Sequence, residues 1–130
     1  MIKYPNTGLA KPRMTQADTW KKRPVVLKYW EYKDNIRTWA WNNQFKLGDE
    51  VCAIFYIPMP KSWSKKKKSS MIGKPHQQRP DIDNLVKGLM DALLEEDSHI
   101  HTVYAKKIWA EKGSIDLYSD LWKLPISNLQ

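Results

Sequence analysis

Asp81 and Asp83 stand two residues apart in the string Arg79-Pro80-Asp81-Ile82-Asp83-Asn84-Leu85-Val86-Lys87, and Glu96-Asp97 follow a short helix's length later. Closely spaced carboxylates of this kind hold hard cations such as Mg²⁺ and Mn²⁺, which complete their shells with water and substrate phosphate oxygens. Such ions polarise a phosphodiester and activate a water for its hydrolysis. Each residue also has an ordinary role open to it. Asp81 or Asp83 could cap a helix, Asp83–Lys87 and Lys87–Asp91 could be i, i+4 ion pairs, and Glu95-Glu96-Asp97 could be a solvated helix end.

The charge distribution favours the chemical reading. The 130 residues carry a formal charge of +8, yet residues 81–97 hold six acids against one base, Lys87, leaving 21 bases against 8 acids elsewhere. A basic surface draws in phosphate backbones and releases their counterions. A carboxylate cluster on that surface would repel the same backbone unless divalent ions neutralise it. Between Glu50 and Asp81 there is no acid, while Lys61, Lys65, Lys66, Lys67, Lys68, Lys74 and Arg79 are all present. Near the start, Lys11, Arg13 and Lys21 to Arg23 add a second basic stretch. Both stretches are candidate DNA contacts.

These residues have to be positioned by helices and strands. From Ile82, the residues Leu85, Val86, Leu89, Met90, Leu93 and Leu94 recur at three-to-four spacing, which predicts an amphipathic helix. On that helix Asp83, Asn84, Lys87 and Asp91 fall on the opposite arc, towards solvent. A second helix is predicted from Pro24 to about Asn43. Its aromatics Tyr29, Trp30, Tyr32, Trp39 and Trp41 suit a core more than a base-stacking platform. Val51 to Ile57 is apolar on both alternations, as expected of a mid-sheet strand covered on two faces. Pro58 and Pro60 end it, and Ser62 is the expected N-cap of a short basic helix or turn over Lys61 to Lys68. Residues 98–112 and Ser114 to Tyr118 read as two strands forming a hairpin about Lys112-Gly113. A short strand or arm is expected near the N-terminus, and a loose tail from Asp120.

Length and composition suit one globular domain, with 42% hydrophobic residues and no apolar run long enough to span a membrane. No signal-peptide pattern follows Met1, and Cys52 is a lone cysteine in an apolar run. A cytoplasmic setting is expected.

Taken whole, Arg-Pro-Asp-Ile-Asp-Asn-Leu-x-Lys-x-Leu-x-Asp-Ala-Leu, followed by Glu-Asp-Ser-His-Ile and a strand bearing Lys107, resembles the RusA family of Holliday-junction resolvases. Gly8 to Thr15 and Ile57 to Lys67 are similar to bacterial and prophage members. The resemblance implies a small α/β (α+β) fold with a mixed sheet and packed helices, a homodimer, four-way junction DNA as substrate, and Mg²⁺ or Mn²⁺ as cofactor. It assigns metal binding to Asp81, Asp83 and Asp97 and a role in cleavage to Lys87. Asn84 would anchor a carboxylate by a hydrogen bond, and Lys107 would join the DNA contacts. The connection between Asp91-Ala92-Leu93 and the acidic pair is shorter than in many relatives, so Glu96 stands beside Asp97 as the alternative third ligand.

Two other readings fit parts of the chain. Pro80-Asp81 could open the pattern of restriction-type nucleases, but no Asp-x-Lys or Glu-x-Lys follows. A non-catalytic DNA-binding protein would explain the basic charge but not the clustered acids; a general metal-dependent nuclease would explain both.

Overall fold

The strand β2 (Glu50–Pro58) lies inside the sheet because Val51 to Phe55 are apolar on both faces, and all five are buried. In the computed structural model, which describes residues 1–13 and 23–119, β2 is joined by β1 (Ile2–Tyr4), β3 (Thr102–Ala110) and β4 (Ser114–Tyr118). The four-stranded sheet has the order β1-β4-β2-β3. β2 pairs in parallel with β3, from Glu50 opposite Thr102 to Pro58 opposite Ala110, and antiparallel with β4. β1 pairs antiparallel with β4. The sheet is therefore mixed, and with the three helices of the described residues it makes a small α+β domain.

The expected hairpin is not formed. β3 and β4 are consecutive in the chain, but β2 lies between them. A strand apolar on both faces needs neighbours on both edges as well as cover. Here the chain spans two strand spacings through Glu111, Lys112 and Gly113 to provide them. Gly113 packs closely on Thr7, leaving no room for a side chain.

Helix α1 (Pro24–Asn42) begins on Pro24, whose missing amide hydrogen costs nothing in a first turn. It buries Val26, Tyr29, Tyr32, Ile36 and Ala40. Tyr4 of β1 packs edge-on against Tyr32 and Trp39 at centroid distances of 6.4 and 5.3 Å. Of the aromatics expected in the core, Tyr29 and Tyr32 are buried, Trp39 packs partly against the core, and Trp30 and Trp41 point outward. Helix α2 (Lys65–Met71) is capped by Ser64, whose Oγ accepts from the Lys67 amide at 3.1 Å; the N-cap is thus Ser64 rather than Ser62.

Helix α3 (Ile82–Leu93) buries Leu85, Val86, Leu89 and Ala92 against α1 and the sheet residues Val51, Ala53, Phe55, Ile115 and Leu117. The Arg37 Nε of α1 donates to the Ala92 carbonyl in the last turn of α3 at 2.9 Å. The opposite face of the sheet carries a smaller cluster of Cys52, Ile54 and Tyr118. The candidate contacts Lys21 and Lys22 and the expected tail from Asp120 lie outside the described residues.

Candidate active site

The carboxylates at the start of α3 are held in place by the backbone around them. Asp81 occupies the N-cap position with extended φ and ψ of −68° and 142°, and its carbonyl accepts from the Leu85 amide. Its side chain makes no capping hydrogen bond, so the exposed carboxylate is not consumed by the helix. Asp83 follows in the first turn, where the positive end of the helix favours negative charge. Lys87, one turn on, lies 4.0 Å from Asp83, and both side chains are largely exposed. Two acids and a lysine are thus exposed around the start of α3, Asp83 and Lys87 on one edge.

The approach to Asp81 is fixed by Lys107. From β3 its ammonium donates to the carbonyls of Gln78 at 2.7 Å and Pro80 at 2.8 Å, on either side of the cis Arg79–Pro80 bond. A DNA-contact role was expected for Lys107. Here its ammonium is engaged by the loop that delivers Asp81. The preceding segment is laid along the outer edge of β3: Gly73 donates to the Trp109 carbonyl, Trp109 to Lys74, and His76 to Lys107.

This segment also joins the site to the basic helix. His76 packs on Trp109 at 4.3 Å, Trp109 on Trp63 at 4.7 Å, and the Lys67 ammonium lies 4.4 Å from the Trp63 ring centroid. Lys61, Lys65, Lys66, Lys74 and Arg79 are exposed around that ladder, and Lys68 is half-buried. On the other flank, an extended arm crosses α3. The Lys11 amide donates to the Asn84 carbonyl at 3.1 Å, and the arm runs so close that a side chain on Gly88 would meet the Leu9 carbonyl at 2.5 Å. Gly88 is required by this crossing. Arg23 then donates to the Arg13 carbonyl, placing these two basic residues together. Asn84 contributes its carbonyl to the arm.

Asp91, expected on the solvent arc, faces α1 instead. Its Oδ2 accepts from the Tyr29 hydroxyl at 2.6 Å and from Lys33 at 3.1 Å, and Lys11 lies 3.8 Å from Oδ1. Burial would raise its pKa, but the hydrogen bonds from Tyr29 and Lys33 and the charges of Lys33 and Lys11 outweigh it and hold the carboxyl below its ordinary value. Burial and Asp91 together push the Tyr29 phenol up. Position 91 is far enough round the helix to meet α1, which periodicity within α3 could not reveal.

The third acid is not brought to the first two. With 12 residues, α3 separates its ends by about 18 Å. Among the described residues no group of three His, Cys, Asp or Glu side chains lies close enough to hold a metal. Glu96 accepts from the Ser98 amide at 2.9 Å, and this bond lowers its pKa. Asp97 is exposed, and its carbonyl accepts from the Ile100 amide. The donor chemistry of Asp81 and Asp83 suits Mg²⁺, which often takes one or two carboxylates plus water and substrate phosphate. The three-carboxylate set does not assemble within this chain. A groove of about 1020 Å³ at the far end of α3, beside Trp41, Phe45, Leu47 and Leu94, is not lined by Asp81, Asp83 or Lys87.

Two exposed acids at the start of α3, with basic elements on both sides, on a small α+β domain, suit a protein that acts on phosphodiesters. A family model described as Endodeoxyribonuclease RusA matches residues 4–117, and the chain belongs to that family. Membership implies an endodeoxyribonuclease that resolves Holliday junctions. No curated protein and no solved structure matches the chain. No helix of the described residues is long and apolar enough to cross a membrane.

Proposed function

We propose that this chain is a Mg²⁺-dependent, structure-selective endonuclease that resolves four-way DNA junctions by paired nicks, working as a homodimer. The observation that carries the reading is the Asp81 carboxylate, which sits at a helix N-cap without capping it, beside exposed Asp83 and Lys87. An acid kept free of its ordinary structural duty, on a chain this basic, is suited to hold a cation against a polyanion.

Asp81 and Asp83 would hold Mg²⁺, for which Mn²⁺ would substitute; when bound, the ion polarises the scissile phosphate and lowers the pKa of a water. The protein's own contribution is positioning and charge. Lys87 steadies the negative charge that builds on the phosphate during displacement. The basic arm with Lys11 and Arg13, and the lysines of α2, hold the DNA backbone on either side of the carboxylate edge. Lys107 keeps the Gln78–Pro80 loop, and so Asp81, in register. Asp97, with Glu96 beside it, would join the ligand set by movement of residues 94–101 or from the second copy. A two-fold dimer suits a junction whose strands are two-fold related. The products would be nicks with 5′-phosphate and 3′-hydroxyl ends.

The test incubates the protein with labelled four-way junction and linear duplex in Mg²⁺, Mn²⁺ or EDTA, beside Asp83→Asn. Metal-dependent nicking of the junction that the substitution abolishes, with binding intact, is the expected result. Binding without nicking under any metal would make the chain a DNA-binding protein. Equal cutting of linear duplex would make it a general nuclease. Metal titration of Asp97→Asn decides whether Asp97 is a ligand.

A further inference from the structure

The acidic pair after α3 lies in a turn tied down along its length. Asp97 offers its carbonyl to the Ile100 amide at 3.1 Å, and Glu96 spends its carboxylate on the Ser98 amide at 2.9 Å. Ile100 packs against the main core, and the His101 amide donates to the Asp49 carbonyl at 3.1 Å. Asp49 precedes Glu50, the first residue of β2, and takes hold of the turn a second time: its Oδ1 lies 3.0 Å from His99 Nδ1. A carboxylate only accepts, so Nδ1 carries the hydrogen in either charge state of the ring. We propose that Asp49 is a positioning residue for Asp97, acting through His99 and the turn that both hold. The inference rests on the nuclease reading above and gives the two acids of the pair different work: Glu96 shapes the turn, and the exposed Asp97 is the carboxylate presented.

The anchor is the inner strand of the sheet. Val51 to Phe55 of β2 are buried, and Asp49 extends the parallel ladder with β3 by one step beyond the pair Glu50 and Thr102. A group fixed to such a strand is placed more precisely than one on a free loop. The backbone bond alone fixes only the end of the turn at His101. The His99 bond reaches two residues nearer to Asp97 and limits rotation of the turn about that end. Residues 96–101 therefore move as one body, and the ligand set closes on a preformed turn. The side chains of His99 and Asp49 are 44% and 71% exposed. A pair this exposed adds little to stability, so its loss should be felt in the placing of Asp97 and scarcely in Tm.

The experiment titrates Mn²⁺ into wild type, Asp49→Ala, His99→Ala and His99→Asn, reading junction cleavage and, separately, bound Mn²⁺ by its electron paramagnetic resonance. Asp49→Ala should raise the Mn²⁺ needed for half-maximal cleavage about three- to ten-fold, less than the roughly 10- to 100-fold lost with a group that touches a ligand directly. The rate at saturating Mn²⁺ and the Tm should stay near wild type. His99→Ala should match it, and His99→Asn, whose side-chain nitrogen stands where Nδ1 stood, should recover most of the loss. Binding of Mn²⁺ should weaken in step, and in an Asp97→Asn background the effect of Asp49→Ala on binding should vanish, since both act through one carboxylate. An unchanged Mn²⁺ requirement in Asp49→Ala would overturn the inference. So would an Asp49→Ala effect that persists without the Asp97 carboxylate, or a His99→Asn no better than His99→Ala. If wild type cuts no junction, the nuclease reading fails, and Mn²⁺ binding decides the inference alone: weaker binding in Asp49→Ala supports it, and equal binding, or none in wild type, overturns it.

Discussion

The two ends of α3 treat their acids in opposite ways. At the last turns Asp91 is held by Tyr29, Lys33 and Lys11, and it ties α1, α3 and the N-terminal arm together. At the first turn Asp81 has no capping bond, and Asp83 meets Lys87 at the 4.0 Å limit of an ion pair. The same residue type, on one helix, serves architecture where a buried phenol and two lysines surround it. Where the loop before it is clamped and its own oxygens stay exposed, it is left available for the proposed chemistry. The difference lies in the surroundings, so substitutions at the two ends should separate stability from activity.

The sharpest test is Asp83→Asn, which should cost about 10³-fold in cleavage, the order seen when a charge-stabilising group is lost from an active site. Its Tm should stay within a degree or two; a large drop would show that Asp83 also holds the fold. Lys107→Met comes next. Releasing the Gln78–Pro80 loop misplaces Asp81, and cleavage should fall about ten- to hundred-fold. The salt dependence of junction binding separates this from a DNA contact, whose loss would reduce the log–log slope by about 1.

Asp91→Asn should do the converse. It weakens charged hydrogen bonds around the buried Tyr29 hydroxyl and should cost about 1–3 kcal/mol of stability by urea titration. The pH profile supplies the sign. Asp91 has a depressed pKa in the fold, so its contribution is complete above the ordinary carboxylate value of about 4 and is lost as pH falls through the lower folded value. That acid limb should shrink in the variant. If Asp91→Asn instead abolished cleavage with stability intact, the contrast between the two ends would collapse. Ser64→Ala should have the smallest effect, about 1 kcal/mol through loss of the α2 cap, with junction binding weakened only as far as α2 frays.

Much of this was legible from residues, and the rest was not for identifiable reasons. The stripe from Leu85 to Leu93 and the run from Pro24 to Asn42 announce helices because their partners are satisfied by any apolar layer. Val51 to Phe55 announces a central strand for the same reason. Periodicity cannot say which strands are neighbours: Lys112-Gly113 carries an ordinary hairpin signal, and only the demand of β2 for two edges overrides it. Asp91 reads as solvated until α1 is packed beside it. Lys107 reads as a free cation until the carbonyls of Gln78 and Pro80 arrive from about 30 residues earlier, a matter of tertiary geometry. Asp49 offers no periodic or motif signal at all, and its tie to His99 forms only once β2 and β3 are paired.

The insertion of β2 between β3 and β4 also governs how the chain must fold. No two strands of this sheet pair across a short turn: β2 meets β3 across residues 50 and 102, and β1 meets β4 across residues 2 and 117. No hairpin is available as a local nucleus, so long loops must close before any strand pairing gains stability, which slows folding. During synthesis β2 emerges well before either partner, with an apolar strand and two open edges. The packing of α1, and later of α3, on Val51, Ala53 and Phe55 is then what shelters its inner face. Substitutions at Tyr29 or Asp91 should therefore depress the yield of soluble protein more than their effect on final stability would suggest.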